Sequence, residues 1–246
     1  MSTNARPQAP GTAAPASDLV RIEWLRRVEA EYRSAVLTQE LTLWLMQAGA
    51  SPDLIHDGLR IVGDELAHAE LGLETFTAAG GTGAPRLARE TLALPRRPGE
   101  SLEMEIARVG VDVFCLGETV VVPLFKNLRD GCTVPVARRA LDRILRDEVR
   151  HRDFGWTLLE WLLDGPAAGA VRALVVRELP GYFRRVRGAY SSASTRAVVA
   201  LPAADRAWGL MAPAAYAGII DRTFERDWRP RFARVGIDAA AAWGSG

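Results

Sequence analysis

The chain has 246 residues, 48% of them hydrophobic, and 31 basic against 30 acidic side chains for a net charge of +1. That composition suffices for a sizeable core, and the balanced charge gives no electrostatic reason for a nucleic-acid or anionic-membrane partner. Two cysteines, Cys115 and Cys132, are too few for a disulfide scaffold or a four-cysteine metal site, so a reducing cytoplasm is the simplest compartment.

Residues 1–17 are small, polar and proline-rich with no apolar h-region, and they read as a disordered tail. No apolar run approaches the ~18 residues that span a bilayer, the longest lying around Val120 to Phe125, so a soluble protein is expected. A first helix is predicted from Asp18 to about Ala48. Its apolar residues recur at helical spacing (Ile22, Leu25, Val28, Tyr32, Val36, on to Leu43), with Asp18 as cap and Gly49 as stop. Ser51-Pro52-Asp53 opens a second helix that runs to about Ala79 and ends at Gly80-Gly81.

Residues 80–99, rich in Gly, Pro and Arg, form a long connection. Ser101 opens a third helix ending at Gly131, with a kink expected at Pro123. Thr133 opens a fourth, with Pro135 in its first turn, ending near Asp164-Gly165. Residues 166–246 read as further helices packed on the first four, broken near Pro180-Gly181, Ser191-Ser192 and Ala212-Pro213, with Pro230 ending or kinking the last. The expected fold is all-α: two hairpins joined by one long crossover over residues 18–165, then C-terminal helices over 166–246.

Two of the three histidines sit in the same pattern, Glu65-Leu66-Ala67-His68 and Glu148-Val149-Arg150-His151. On a helix, positions i and i+3 share a face, so each pair can address one metal or two neighbouring ones. One match is common by chance; two, on the second and fourth helices, are not. The other two helices should each add a Glu. Glu118 lies between apolar runs on the third helix. Glu40 is the only acid between Tyr32 and Ser51 on the first, although at ~1.5 Å per residue it falls roughly 7 Å out of level with Glu65. Buried carboxylates need pairing, protonation or a metal. The six groups Glu40, Glu65, His68, Glu118, Glu148 and His151 suit an iron or manganese pair, and a four-ligand zinc site would leave two unused. Asp64 and Asp147, each preceding a motif glutamate, are placed to hold the second ring nitrogen of the opposite helix's histidine. The alternatives are a metal-free bundle with buried polar pairs, and solvated acids at Asp64 and Asp147.

These residues resemble the ferritin-like di-iron carboxylate superfamily over roughly residues 18–164. Asp147-Glu148-Val149-Arg150-His151 looks like the D-E-x-R-H motif of bacterial multicomponent monooxygenase hydroxylases, and Asp64-Glu65-Leu66-Ala67-His68 matches it except at Ala67. The resemblance implies a ferritin-like four-helix bundle holding two iron ions, with manganese or a mixed manganese–iron pair as variants. Gly72 stands where reductase small subunits carry a radical tyrosine. Val121 and Val122 stand where monooxygenases and desaturases place a helper threonine. Ile144 replaces the extra histidine of arylamine N-oxygenases, and the cysteines of a rubredoxin domain are lacking. No single branch is singled out.

Gly72 and Gly155 each follow a motif histidine by four residues; they either leave open volume beside the metals or allow close helix packing. Cys115 reads as a core thiol more readily than a pocket wall, His56 as a surface residue, and Trp44 and Trp156 as core residues or electron relays. The expected function is a di-iron oxygenase or oxidase acting on a small organic substrate with dioxygen and an external electron donor, without nucleic-acid or membrane partners and compatible with a homodimer. A ferroxidase or rubrerythrin-like peroxide scavenger, and a structural bundle with a vestigial site, are the alternatives.

Overall fold

The computed structural model describes residues 16–194 and 201–245, and the expected tail lies outside them apart from Ala16 and Ser17. All regular structure among the described residues is helical, with no strand. No helix there is long and apolar enough to cross a membrane.

Helix α1 (Asp18–Gln47) is capped by Ser17, one residue before the expected Asp18; the Ser17 hydroxyl accepts from Val20 N at 3.2 Å. Gly49, at φ 72°, supplies the left-handed turn that ends it. Helix α2 (Pro52–Ala78) starts as expected from Ser51 with proline in its first turn, and Gly80 at φ 81° follows its end. The two pack as an antiparallel hairpin.

Of the six apolar residues that spacing picked out on α1, Val28 lies on its buried face, but most of that face is made by others. Ile22, Tyr32 and Leu43 are 48%, 39% and 49% exposed. The buried line is Trp24, Val28, Glu31, Ala35, Thr38, Thr42 and Leu45. Those positions alternate steps of four and three, the seam of two helices packed along their length. Three of the seven are polar, which hides the seam from a reading by hydrophobicity.

The third helical segment runs without a break from α3 (Leu102–Val109) through a π-helical stretch (Gly110–Glu118) into α4 (Thr119–Asp130). The wider π turn shifts the residues after it around the axis relative to a continuous α-helix, and Glu118 is its last residue. Helix α5 (Pro135–Asp164) has Val134, not Thr133, at its cap position; the N–H groups of Thr133 and Val134 donate to the Ala207 carbonyl at 2.9 and 3.0 Å. It packs against α2 on one side and against the π stretch and α4 on the other, while α1 touches α3.

Gly155 decides how closely α5 approaches the π stretch. A Cβ there would lie 2.5 Å from Phe114 Cβ and 2.7 Å from its backbone carbon, and one on Gly72 would lie 3.0 Å from Val28 Cγ2. Both glycines serve close packing rather than open volume.

The crossover contains one 3₁₀ turn (Arg89–Thr91) and is held by acids on the outer face of α1. Glu29 accepts from Arg86 N at 2.7 Å, and Glu40 from Leu94 N at 2.7 Å. Leu94 itself is buried. These bonds satisfy backbone groups that the irregular chain cannot pair with itself.

Helix α6 (Ala168–Ser194) continues through Pro180 and Gly181 and through Ser191-Ser192, where breaks were expected. Pro180 removes one N–H from the ladder, and the carbonyl so released is that of Val176, a residue 53% exposed. Helices α7 (Ala203–Ala207) and α8 (Ala214–Thr223) flank the expected break at Ala212-Pro213. Pro230 lies in α9 (Arg229–Arg234), which continues without a break from α8 through a π turn at Phe224–Trp228, so the proline does not end the helix. Helix α10 (Ala239–Gly244) lies on α6, where Phe224 and Trp243 stack at 4.3 Å beside Phe183. Two indoles tie this region to the first four helices: Trp24 Nε1 donates to the Trp208 carbonyl at 2.9 Å and Trp228 Nε1 to the Cys115 carbonyl at 3.1 Å.

Candidate metal centre

Six buried side chains converge between the helices: Glu31 from α1, Glu65 and His68 from α2, Glu118 from the end of the π stretch, and Glu148 and His151 from α5. Each Glu-x-x-His pair aims both groups inward, as i, i+3 spacing on one face requires. Ligand atoms of Glu31, Glu65, His68 and Glu148 lie within 4.8 Å of one another, as do those of Glu118, Glu148 and His151. Buried in this way, they could hold a metal ion at either cluster.

Glu65 and Glu148 each present one oxygen to each histidine. Glu65 Oε2 is 3.4 Å from His68 Nδ1 and its Oε1 is 3.6 Å from His151 Nδ1. Glu148 Oε1 is 3.8 Å from His68 Nδ1 and its Oε2 is 3.2 Å from His151 Nδ1. Glu31 Oε2 adds a third carboxylate 3.5 Å from His68 Nδ1. Yet Glu65 Oε2, His68 Nδ1, Glu148 Oε2 and His151 Nδ1 are buried without a hydrogen-bond partner among the described residues. An unsatisfied buried polar atom costs about 1–3 kcal/mol, more when charged. Four such atoms around one small volume form groups that could hold a metal ion.

The electrostatics point the same way. Burial pushes Glu31 up to about 8, helped by the charge of Glu65, and burial and neighbouring carboxylates also hold Glu118 and Glu148 well above the usual range. Burial acts upward on Glu65 too, but the facing His68 and Glu31 outweigh it and leave that group at about 2. His68 is raised to about 11, because the facing carboxylates outweigh its burial. Without added positive charge these carboxylates cannot all ionise.

Two aspartates lie behind the imidazoles, one hydrogen-bonded to His68 and one facing His151 Nε2, which has no hydrogen-bond partner among the described residues. His68 Nε2 is 3.3 Å from Asp147 Oδ2, and His151 Nε2 is 3.5 Å from Asp64 Oδ2. Each aspartate therefore faces the histidine of the opposite helix. Arg150 Nη2 donates to both, at 2.7 Å to Asp64 and 2.8 Å to Asp147. Arg143 also bridges the pair, and Arg146 Nε donates to Asp147 at 3.3 Å. Burial works against the ionised Asp147, but Arg143, Arg150 and His68 outweigh it and hold the carboxyl well below its usual range.

Of the six ligands expected from sequence, the structure brings together Glu65, His68, Glu118, Glu148 and His151. Glu40 is elsewhere, half-buried and engaged with Leu94 N of the crossover. The α1 position is taken by Glu31, which Glu29, Tyr32 and Arg33 disguise as part of a solvated face. Register could have found it. Glu31 lies 16 residues before the end of α1 and His68 lies 16 after the start of α2, so they are level across the hairpin. Cys115 donates to the Gly155 carbonyl at 3.2 Å, and burial pushes its thiol up; it is a packing residue. Trp156 Nε1 donates to Thr119 Oγ1 at 3.0 Å beside Glu118, Trp44 is buried, and His56 is exposed.

The chain matches no family model, no curated protein and no solved structure.

Proposed function

We propose that this chain is a ferritin-like di-iron carboxylate protein, an oxygenase or oxidase that uses dioxygen and an external electron donor to oxidise a small organic molecule. The observation that carries the reading is the pair Glu65 and Glu148, each facing both histidines with an oxygen left unsatisfied. In this assignment Glu31, Glu65, His68, Glu118, Glu148 and His151 would hold the pair. A bound ferrous pair supplies the reducing equivalents that activate dioxygen. The protein's own part is to hold the ligands, to orient the imidazoles through Asp64 and Asp147, and to control access.

Access favours an organic substrate over iron handling. A cleft of about 260 Å³ reaches Glu31, Glu65, Glu118 and Glu148, and is lined besides by polar groups such as Glu23 and Ser34 and by the apolar Val121, Leu124, Phe125 and Leu128. An apolar wall suits a carbon skeleton better than a path for hydrated iron.

Metal analysis of protein prepared with iron tests the reading. About two iron ions per chain are expected, as in other bundles with this ligand pattern, lost together in Glu148→Ala. Absence of bound metal overturns it. Oxygen uptake by the reduced protein that requires free ferrous iron as the oxidised species would replace it with a ferroxidase.

A further inference from the structure

Most of the exposed large hydrophobic side chains belong to one hairpin: eight of the ten among the described residues lie on α1 or α2. Their spacing is regular. On α2, Leu59, Leu66 and Leu73 recur every seven residues, and Ile55 and Val62 stand four and three residues from them. On α1, Ile22, Val36 and Leu43 fall on one such line and Leu25, Tyr32 and Met46 on another. Alternating steps of three and four mark helices that pack along their length. The seam that joins α1 to α2 uses other residues, Val28, Ala35 and Leu45 among them, so each helix has a second seam.

The two stripes form one face. The flank of α1 that bears Glu23, Arg27 and Ser34 lines the cleft against Leu124 and Phe125 of α4, and at 100° per residue Tyr32, Val36 and Leu43 lie on the other flank. On α2, Asp64 pairs with Arg150 of α5 and Arg60 lines a recess against Phe154 and Thr157 of the same helix. Leu59, Leu66 and Leu73 lie on the flank away from these. Since α1 and α2 pack side by side, both stripes face outward, away from α4 and α5.

From Ile22 to Met46 the stripe is roughly 36 Å long at ~1.5 Å per residue, and two helices about 9 Å apart make it about 20 Å wide. A face of about 700 Å² exceeds the largest apolar patch of a typical monomer. It approaches the ~800 Å² that each partner gives to a standard stable interface. Residues 1–15 hold no large apolar side chain besides Met1 that could cover it. Among the positions of the two stripes Glu29 alone is charged, and it already accepts from Arg86 N at 2.7 Å, so a copy of the same face meets no like charge. The flanking charges are of both signs, Arg33 on α1 and Glu70 on α2, unlike the cationic border of helices that lie on anionic lipid. A neutral, self-complementary face suits the twofold pairing that is commonest among oligomers.

We propose that this chain forms a homodimer in which the α1–α2 faces of two copies pack against each other about a twofold axis. The cleft, on the opposite flank of α1, stays open in this arrangement, and the pairing does not depend on what the carboxylate–histidine cluster holds.

Analytical ultracentrifugation of the full chain at micromolar concentration tests this. A mass of twice 26.8 kDa is expected. Leu66→Glu and Leu59→Glu each set a charge into the apolar contact and should weaken association about a hundredfold or more. Their helical circular dichroism should match the parent, because both side chains are already exposed in the single chain. Val176→Glu, on α6, should leave the dimer intact. A wild-type monomer overturns the proposal. If that monomer floats with vesicles of phosphatidylcholine and phosphatidylglycerol, the face belongs to lipid; if deleting residues 2–15 makes it dimerise, the face belongs to the chain's own tail. A dimer that both variants leave unchanged overturns the proposal as well, by placing the contact elsewhere.

Discussion

Glu31 Oε2 lies 3.5 Å from His68 Nδ1, while Glu40, nine residues further along the same helix, accepts a hydrogen bond from Leu94 N at 2.7 Å. One acid of α1 faces the interior and completes the carboxylate–imidazole cluster. The other faces outward and ties down the crossover. The two roles separate in experiment.

Glu31→Gln is predicted to reduce the iron retained per chain after desalting, and Glu40→Gln to leave it unchanged. Glu40→Gln instead weakens a charged acceptor at the crossover, by about 1 kcal/mol, which lowers the melting temperature by roughly 2–4 °C for a chain of this size. Metal loss in Glu40→Gln with retention in Glu31→Gln would reverse the assignment.

Asp147→Asn keeps the shape of the group that faces His68 but removes its charge. Metal affinity, measured by competition with a chelator, should fall about 10- to 100-fold, the usual consequence of losing an outer partner of a ligating histidine. Asp64→Asn should do the same through His151. Unchanged affinity in both would show that the aspartates serve only the arginine pairs around them.

Gly155→Ala places a methyl group against the backbone of Phe114 and Cys115, which cannot step aside as a side-chain end can. A loss of roughly 1–3 kcal/mol or more is expected in urea unfolding. Gly72→Ala meets only a methyl of Val28 at 3.0 Å and gains helix propensity of about 1 kcal/mol, so it should be close to neutral. Equal effects at the two glycines would argue against the close approach of α5 to the π stretch.

Glu178 supplies a pH-dependent contribution away from the cluster. Burial acts to raise its pKa, but the Tyr182 hydroxyl at 2.8 Å and the Arg108 guanidinium outweigh it, so the folded value is below the ordinary one. A carboxyl depressed on folding adds stability that is complete above its unfolded pKa, about 4.3, and is lost as pH falls through the lower folded value. Glu178→Gln should therefore lower stability at pH 7 and narrow the gap to the parent protein in acid. A constant gap from pH 7 down to 3 would exclude this role.

Chemistry at fixed local spacing was legible in the chain. Glu-x-x-His on one helix face puts both groups on the same side whatever the helix packs against, so Glu65, His68, Glu148 and His151 follow from spacing once helices are granted. The preceding aspartates follow from the same geometry, and the long helices follow from Ser51-Pro52, Gly49 and Gly80 at their ends. What needed the tertiary structure was anything set by the contact between helices. Glu31 rather than Glu40 belongs to the cluster because the hairpin fixes which face of α1 is buried, and that face is partly polar. The π stretch that ends at Glu118 and the persistence of α6 through Pro180 depend on neighbours far away in sequence. Arg27 reaches the Gly209 carbonyl only because residues 208 and 209 fold back onto α1. Periodicity records what one helix prefers by itself; register, and with it the full ligand set, is settled where two helices exclude water from each other.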